Sequence, residues 1–218
     1  VEMVQGFSKE QAEAEADRCV ACGICIATCP AHMDVPAYIE AIRRGDLGDG
    51  LRIVYEANPL PASYGRVCSH ACEYVCAMKH KGEAISIRWL KRYIVDQIYG
   101  GEYDNILATA AEENGRRVAI VGSGPGGLAA AYYLRLLGYG ITVFDANEKA
   151  GGMLRYGIPE YRLPYDQVDK DIAYIRSLGV EIRQNTRVGA DVSFREIYDD
   201  YDAVFFSTGL SDPYALNI

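Results

Sequence analysis

One stretch limits the folds open to this chain more than any other: residues 118–146, VAIVGSGPGGLAAAYYLRLLGYGITVFDA. The run Val118 to Val121 is short, apolar and β-rich, as suits a parallel strand buried on both faces. It stops at Gly122, and Gly122-Ser123-Gly124-Pro125-Gly126-Gly127 fits the pattern G-x-G-x-x-G. In that pattern the first glycine makes a tight turn, the second lets a pyrophosphate approach the backbone, and the third lets helix and strand pack closely. The N-terminus of the following helix offers unpaired N–H groups and a partial positive charge, so phosphates bound there need no lysine. A second apolar strand, Ile141 to Phe144, ends in Asp145, 23 residues after Gly122, where a carboxylate is expected to hydrogen-bond an adenosine ribose. A glycine loop alone would be only a tight turn. Strand, loop, helix, strand and acid together predict dinucleotide binding.

The seven cysteines divide the chain in a second way: all lie within the first 76 residues, and the dinucleotide stretch has none. With 218 residues there is room for two domains, each with its own core, and the boundaries expected are 1–112 and 113–218. Cys19, Cys22, Cys25 and Cys29 form C-x2-C-x2-C-x3-C followed by Pro30. Two-residue gaps let successive thiolates converge on an iron–sulfur cube, and in two-cluster ferredoxins the fourth cysteine of such a run serves the other cluster. A zinc site is the leading alternative, although zinc knots usually pair two separated C-x2-C units. Disulfides would leave one cysteine over. Cys68, Cys72 and Cys76 form C-x3-C-x3-C, too few for a cube, so they are expected to combine with the first run as four ligands plus three. His70 is a candidate for the missing ligand, since imidazole ligates iron in some clusters, with a hydrogen-bonding surface histidine as the plainer reading.

The net charge of −8 is shared evenly between the two halves of the chain. Nucleic acid and anionic membrane surfaces are therefore disfavoured as partners, since both require clustered Lys or Arg. The first residues show no basic segment followed by an apolar core, so no secretion signal is read there. The uncharged run from Val118 to Leu134 is too rich in glycine for a membrane helix. A cytoplasmic location follows as the expectation, and in a reducing compartment clustered cysteines are ligands sooner than disulfides.

Elsewhere the local signals are ordinary. Ser8 and Gln11 form a capping box ahead of a helix over residues 9–18. Helices are also expected over 36–44, where proline opens the first turn, over 51–57, and over 85–99, where Ile87, Leu90, Ile94 and Ile98 make a stripe ended by Gly100-Gly101. The loop GGMLRYGIPEYRLP concentrates conformationally special residues, and Gly151, Gly152 and Arg155 within it are candidate cofactor contacts. A helix over 165–178 and strands over 180–183 and 203–206 complete the pattern. After the last strand, Thr208-Gly209 is expected to approach the pyrophosphate from its second side.

Taken together, CVACGICIATCP, GRVCSHACEYVC, VGSGPGGLAAAYYL, VFDA, GGMLRYGIPEYRLP and YDAVFFSTG resemble the glutamate synthase small-subunit family. That family includes the N-terminal half of dihydropyrimidine dehydrogenase and the large subunit of NADH-dependent ferredoxin:NADP oxidoreductase. The resemblance spans nearly the whole chain. It implies an α+α/β protein in which a helical domain with two 4Fe-4S clusters precedes part of a Rossmann-like, FAD-binding parallel sheet. Carried over by position, Cys19, Cys22, Cys25 and Cys76 would hold one cluster, and Cys29, Cys68 and Cys72 the other. The family's eighth ligand, often Gln or Glu, falls here on Lys91, a poor iron ligand while protonated, and Tyr64 stands where relatives often carry a further cysteine. Relatives also continue into an NAD(P)H-binding domain, and this sequence contains one glycine loop only.

Two functions are then in contention. One is an oxidoreductase subunit passing electrons between FAD and two clusters, with NAD(P)H as hydride donor in the complete enzyme and other redox subunits as partners. The other is a non-catalytic electron-relay or docking module of a larger complex. No acid–base pair or nucleophile stands out as catalytic.

Overall fold

The computed structural model describes residues 2–98 and 103–210; the expected stop at Gly100-Gly101 lies outside them. The chain divides into two compact units, Val1–Thr109 with Pro159–Tyr174, and Ala110–Ile158 with Ile175–Ile218. The division is interleaved where composition suggested a single cut.

The first unit is helical. Its longer helices are α1 (Lys9–Asp17), α3 (Val35–Arg43), α4 (Leu47–Ala57), α5 (Pro61–Val67) and α7 (Ile87–Gln97). The two turns that carry cysteines are α2 (Ile24–Thr28) and α6 (Ala71–Tyr74), and α8 is a turn at Tyr103–Ile106. The capping box at Ser8 forms as the sequence predicts, with both reciprocal hydrogen bonds made. Helix α4 begins a turn before the expected 51, because Asp46 caps it through Oδ1 and the Asp49 N–H at 3.0 Å. Its glycines hide that start from a propensity reading, and Gly50 packs tightly: a Cβ there would lie 3.0 Å from the end of the Ile94 side chain. Tyr38, Ile39, Ile42, Leu51, Tyr55, Leu90 and Ile94 are buried at the centre. Tyr55, Tyr103 and Tyr174 pack edge to face, with centroids 5.1–5.7 Å apart, an arrangement that suits the ring quadrupole.

The second unit holds four parallel strands in the order β3-β2-β1-β4, namely β1 (Arg117–Val121), β2 (Gly140–Phe144), β3 (Glu181–Arg183) and β4 (Ala203–Phe206). Val118 pairs with Ile141 on one side and with Ala203 on the other. Helix α9 (Pro125–Leu136) joins β1 to β2, α10 (Met153–Tyr156) is a turn inside the special loop, α11 (Tyr165–Ser177) precedes β3, and α12 (Phe194–Asp200) precedes β4. Ala119, Phe144 and Ile197 form a core under β1 and β2 with Val188, Val192, Tyr201 and Val204. The α+α/β class and the parallel sheet agree with the sequence reading. Among the described residues no helix is long and apolar enough to cross a membrane.

Candidate functional site

Helix α1 delivers the chain to Cys19, and the next residues curl: Ala21 and Gly23 take φ of 52° and 77°. The left-handed turns swing Cys22 and Cys25 back toward Cys19, a path that glycine follows without strain. Cys76 arrives from the second run. These four thiols line one small cavity that is partly open to solvent, the rest of its wall being apolar side chains such as Val35, Ile39 and Ile87. Burial pushes the Cys25 thiol up to about 11, and Cys19, Cys22 and Cys76 act in the same direction from close by. Among the described residues no three His, Cys, Asp or Glu groups are placed to share a single ion. Thiols spread around a cavity suit a cube with an iron at each corner better than one tetrahedral ion.

Cys29 and Cys68 lie near Cys72, with Cys25 of the first cavity also close by. Burial pushes Cys72 up to about 12, with Glu73, Cys68, Cys29 and Cys25 adding to the rise. Both buried thiols must shed a proton to ligate iron. Tyr38, fully buried, donates to the Ile87 carbonyl at 3.1 Å; burial raises its phenol well above the usual range, and thiols of both runs, Cys72, Cys25, Cys29 and Cys68, push the same way. No sequence motif singles out this tyrosine. Backbone N–H groups of Ala21, His70 and Ile85 donate to the sulfurs of Cys19, Cys68 and Cys76 at 3.3–3.5 Å, the kind of bond that tunes cluster potential. His70 lies with Nδ1 3.1 Å from Glu73 Oε2, but the nitrogen is buried and the pair lacks hydrogen-bond geometry. Lys91 is buried, and Tyr64 stands one turn before Cys68 on α5.

In the second unit the glycine loop is built by exclusion. Gly122 has φ 105°, and a Cβ there would strike the Ser207 carbonyl; one on Gly127 would strike the Gly122 carbonyl. Gly152, with φ 51°, lets its segment approach Gly124, since a Cβ would sit 2.7 Å from the Gly124 Cα. A cleft of about 600 Å³, open to solvent, runs over the N-terminus of α9. Of the residues singled out from the sequence, Gly122, Gly124, Pro125, Gly126, Asp145, Gly152, Thr208 and Gly209 line it.

Ser123, Gly127, Gly151 and Arg155 have supporting places instead. Ser123 donates to Asp145 Oδ2 through N–H at 2.7 Å and through Oγ at 2.5 Å. The Gly151 N–H donates to the Ser123 carbonyl at 2.9 Å. Arg155 is buried, with Nε donating to the Ala150 carbonyl at 3.0 Å. Asp145 therefore braces the loop as well as facing the cleft, its Oδ1 accepting the Asn147 N–H at 2.8 Å. Asn147, Met153, Tyr156 and Ser207 also line the cleft without any sequence pattern pointing to them.

Residues 1–102 match the family model described as dihydropyrimidine dehydrogenase domain II, 4Fe-4S cluster. Residues 120–169 match an NAD(P)-binding Rossmann-like domain. The chain is 35% identical over 213 residues to the glutamate synthase [NADPH] small chain of Escherichia coli, covering 96% of this chain and 45% of that one. The chain is a relative of the glutamate synthase small chains. Other relatives are more similar still over a smaller share of their length. The NADP(+)-dependent formate dehydrogenase subunit beta of Moorella thermoacetica is 42% identical over 206 residues, 85% of this chain and 29% of that one. The NADPH-Fe(3+) oxidoreductase subunit beta of Geobacter sulfurreducens is 42% identical over 187 residues, 85% and 28%. The chain thus spans less than half the length of these relatives. The matches give the chain an iron–sulfur domain and a dinucleotide-binding domain, and the thiol cavity and the glycine cleft lie in the matched segments or beside them.

Proposed function

We propose that this chain forms the electron-carrying part of an oxidoreductase subunit that binds two 4Fe-4S clusters and FAD. One cluster is held by Cys19, Cys22, Cys25 and Cys76, and the other by Cys29, Cys68 and Cys72. The observation that carries the reading is the apolar cavity ringed by four thiols in a chain that also owns a glycine-walled cleft. Bound flavin accepts a hydride as an electron pair, and bound clusters carry electrons singly. The chain's own residues set the conditions. Gly122, Gly124 and Gly126 line the cleft without side chains, which leaves backbone open to a pyrophosphate, and the first turn of α9 directs N–H groups toward it. Asp145 orients Ser123 and, with a remaining lone pair, accepts a ribose hydroxyl. The apolar wall beside Cys19, Cys22, Cys25 and Cys76 would limit, without abolishing, the access of water to a cluster held there and so tune its potential.

NAD(P)H is the hydride donor in the complete enzyme, and further redox subunits are the partners; both rest on the functions printed for the relatives. A cytoplasmic setting is proposed because clustered cysteines that serve as ligands suit a reducing compartment. The test is anaerobic reconstitution of the chain with iron, sulfide and FAD. Roughly eight irons per chain are expected, if both thiol groups build cubes. Tightly bound zinc with negligible sulfide would overturn the reading.

A further inference from the structure

Residues 159–174 interrupt the dinucleotide-binding sequence, yet they pack within the helical unit. Two adjacent side chains of α11 explain how. Asp171 is completely buried; Oδ1 accepts the Ala62 N–H at 3.1 Å, and Oδ2 accepts the Ser63 N–H at 2.8 Å and the Ser63 hydroxyl at 2.7 Å. Those N–H groups open α5, whose own N-cap residue, Leu60, supplies no side-chain acceptor. Lys170 Nζ donates to the carbonyls of Val95 and Ile98 at 2.8 Å each, at the end of α7. A carboxylate at a helix start and an ammonium at a helix end both act in the favourable sense of the helix dipole.

What α5 carries makes this more than packing. The helix has only two turns, too few to persist alone, and it ends at Cys68, whose N–H donates to the Tyr64 carbonyl at 3.1 Å. Along the way Gly65 lies against Arg92, and Arg66 pairs with Asp96 of α7 at 2.8 Å. Residues 61–68 thus form a short rod held at its start by Asp171 and at its middle by α7.

We propose that Asp171, assisted by Lys170, is a positioning residue for the second iron–sulfur centre: by fixing the start of α5 it sets where Cys68 presents its thiolate. The proposal rests on the assignment of Cys29, Cys68 and Cys72 made above. It means that a segment inserted into the dinucleotide-binding sequence governs retention and potential of a cluster held elsewhere in the chain.

The experiment uses the full chain reconstituted with iron and sulfide, with Asp171→Ala, Asp171→Asn, Lys170→Met and Cys68→Ser measured in parallel. Anaerobic redox titration followed by electron paramagnetic resonance reads each cluster's potential and intensity, and a chelator challenge reads retention. In Asp171→Ala the second cluster should be lost about tenfold more readily and titrate at a shifted potential, as expected when an outer group that orients a ligand is removed, while the Cys22-linked signal keeps its wild-type values. Asp171→Asn, which keeps an acceptor of the same shape, should fall between, and it decides the matter if Asp171→Ala does not fold. Unchanged potential and retention of the second cluster, or equal effects on both clusters, would overturn the positioning role. Cys68→Ser separates the two layers: if it too leaves both signals intact, the ligand assignment has failed, whereas its loss beside a silent Asp171 series overturns the positioning role alone.

Discussion

The carboxylate of Asp145 accepts three hydrogen bonds from its own chain, two from Ser123 and one from Asn147, and still lines the cleft. Its removal therefore acts twice. Asp145→Ala should weaken FAD binding by about 1.5–3 kcal/mol through the lost ribose bond, or on the order of tenfold to a hundredfold in affinity, and should loosen the loop besides. Ser123→Ala, which removes only the hydroxyl, should cost less than tenfold; quenching of flavin fluorescence on titration measures both. If the two variants bind equally, Asp145 serves the loop and not the ribose. The cysteines give a second residue-level test. Cys22→Ala and Cys72→Ala should each remove a different paramagnetic signal and about four irons, and loss of the same signal from both would show that the thiols are divided wrongly.

Among the elements, the β1-to-α9 turn and the α5–α11 junction are the least tolerant. Gly127→Ala would drive a methyl group into the Gly122 carbonyl, separating α9 from β1; a cost of roughly 1–3 kcal/mol is expected for such overpacking, seen as a lower urea midpoint together with weaker FAD retention. At the other junction, burial raises the Asp171 carboxyl from 3.8 to about 7, against the pull of Ser63, Ala62 and Lys170. Tyr55, Tyr64 and Tyr103 also face it. A folded-state value above the unfolded one means that the native state holds the proton more tightly. The contribution is complete below about 3.8 and is lost as pH rises through about 7. Stability should accordingly fall by roughly a few kcal/mol from acid to mildly alkaline pH. Asp171→Asn should flatten that slope in urea melts, and an equal slope in both proteins would place the titrating group elsewhere.

For the whole molecule the expectation concerns what one chain can complete. A single glycine loop and a single strand-end acid supply one adenosine diphosphate site, so FAD and NAD(P)H cannot both be held in the usual manner. The chain reconstituted with FAD should retain flavin yet show no rapid bleaching by NADH or NADPH without oxygen. Stoichiometric bleaching within seconds would reveal a hydride site outside the glycine cleft.

Much of this was legible in the linear pattern because it is written in short-range chemistry. A buried strand must be apolar, a pyrophosphate turn must be glycine, and thiolates that share a cluster in one loop must be closely spaced. Those demands fall on neighbouring residues, so β1, α9, β2, Asp145 and the first cysteine run could be read directly. Which thiols face each other is different in kind. Spacing alone left that open, and the family resemblance supplied a division; the folded chain brings Cys76 to the cavity of Cys19, Cys22 and Cys25 and brings Cys29 and Cys68 near Cys72. The same holds for Tyr38, which lies near thiols of both runs, and for the bond from Arg155 Nε to the Ala150 carbonyl. Asp171 marks the limit most plainly. Nothing around it in sequence distinguishes an acid on an amphipathic helix from a solvated one; its burial and its three donors come from Ala62 and Ser63, more than a hundred residues away, and only the folded chain supplies them.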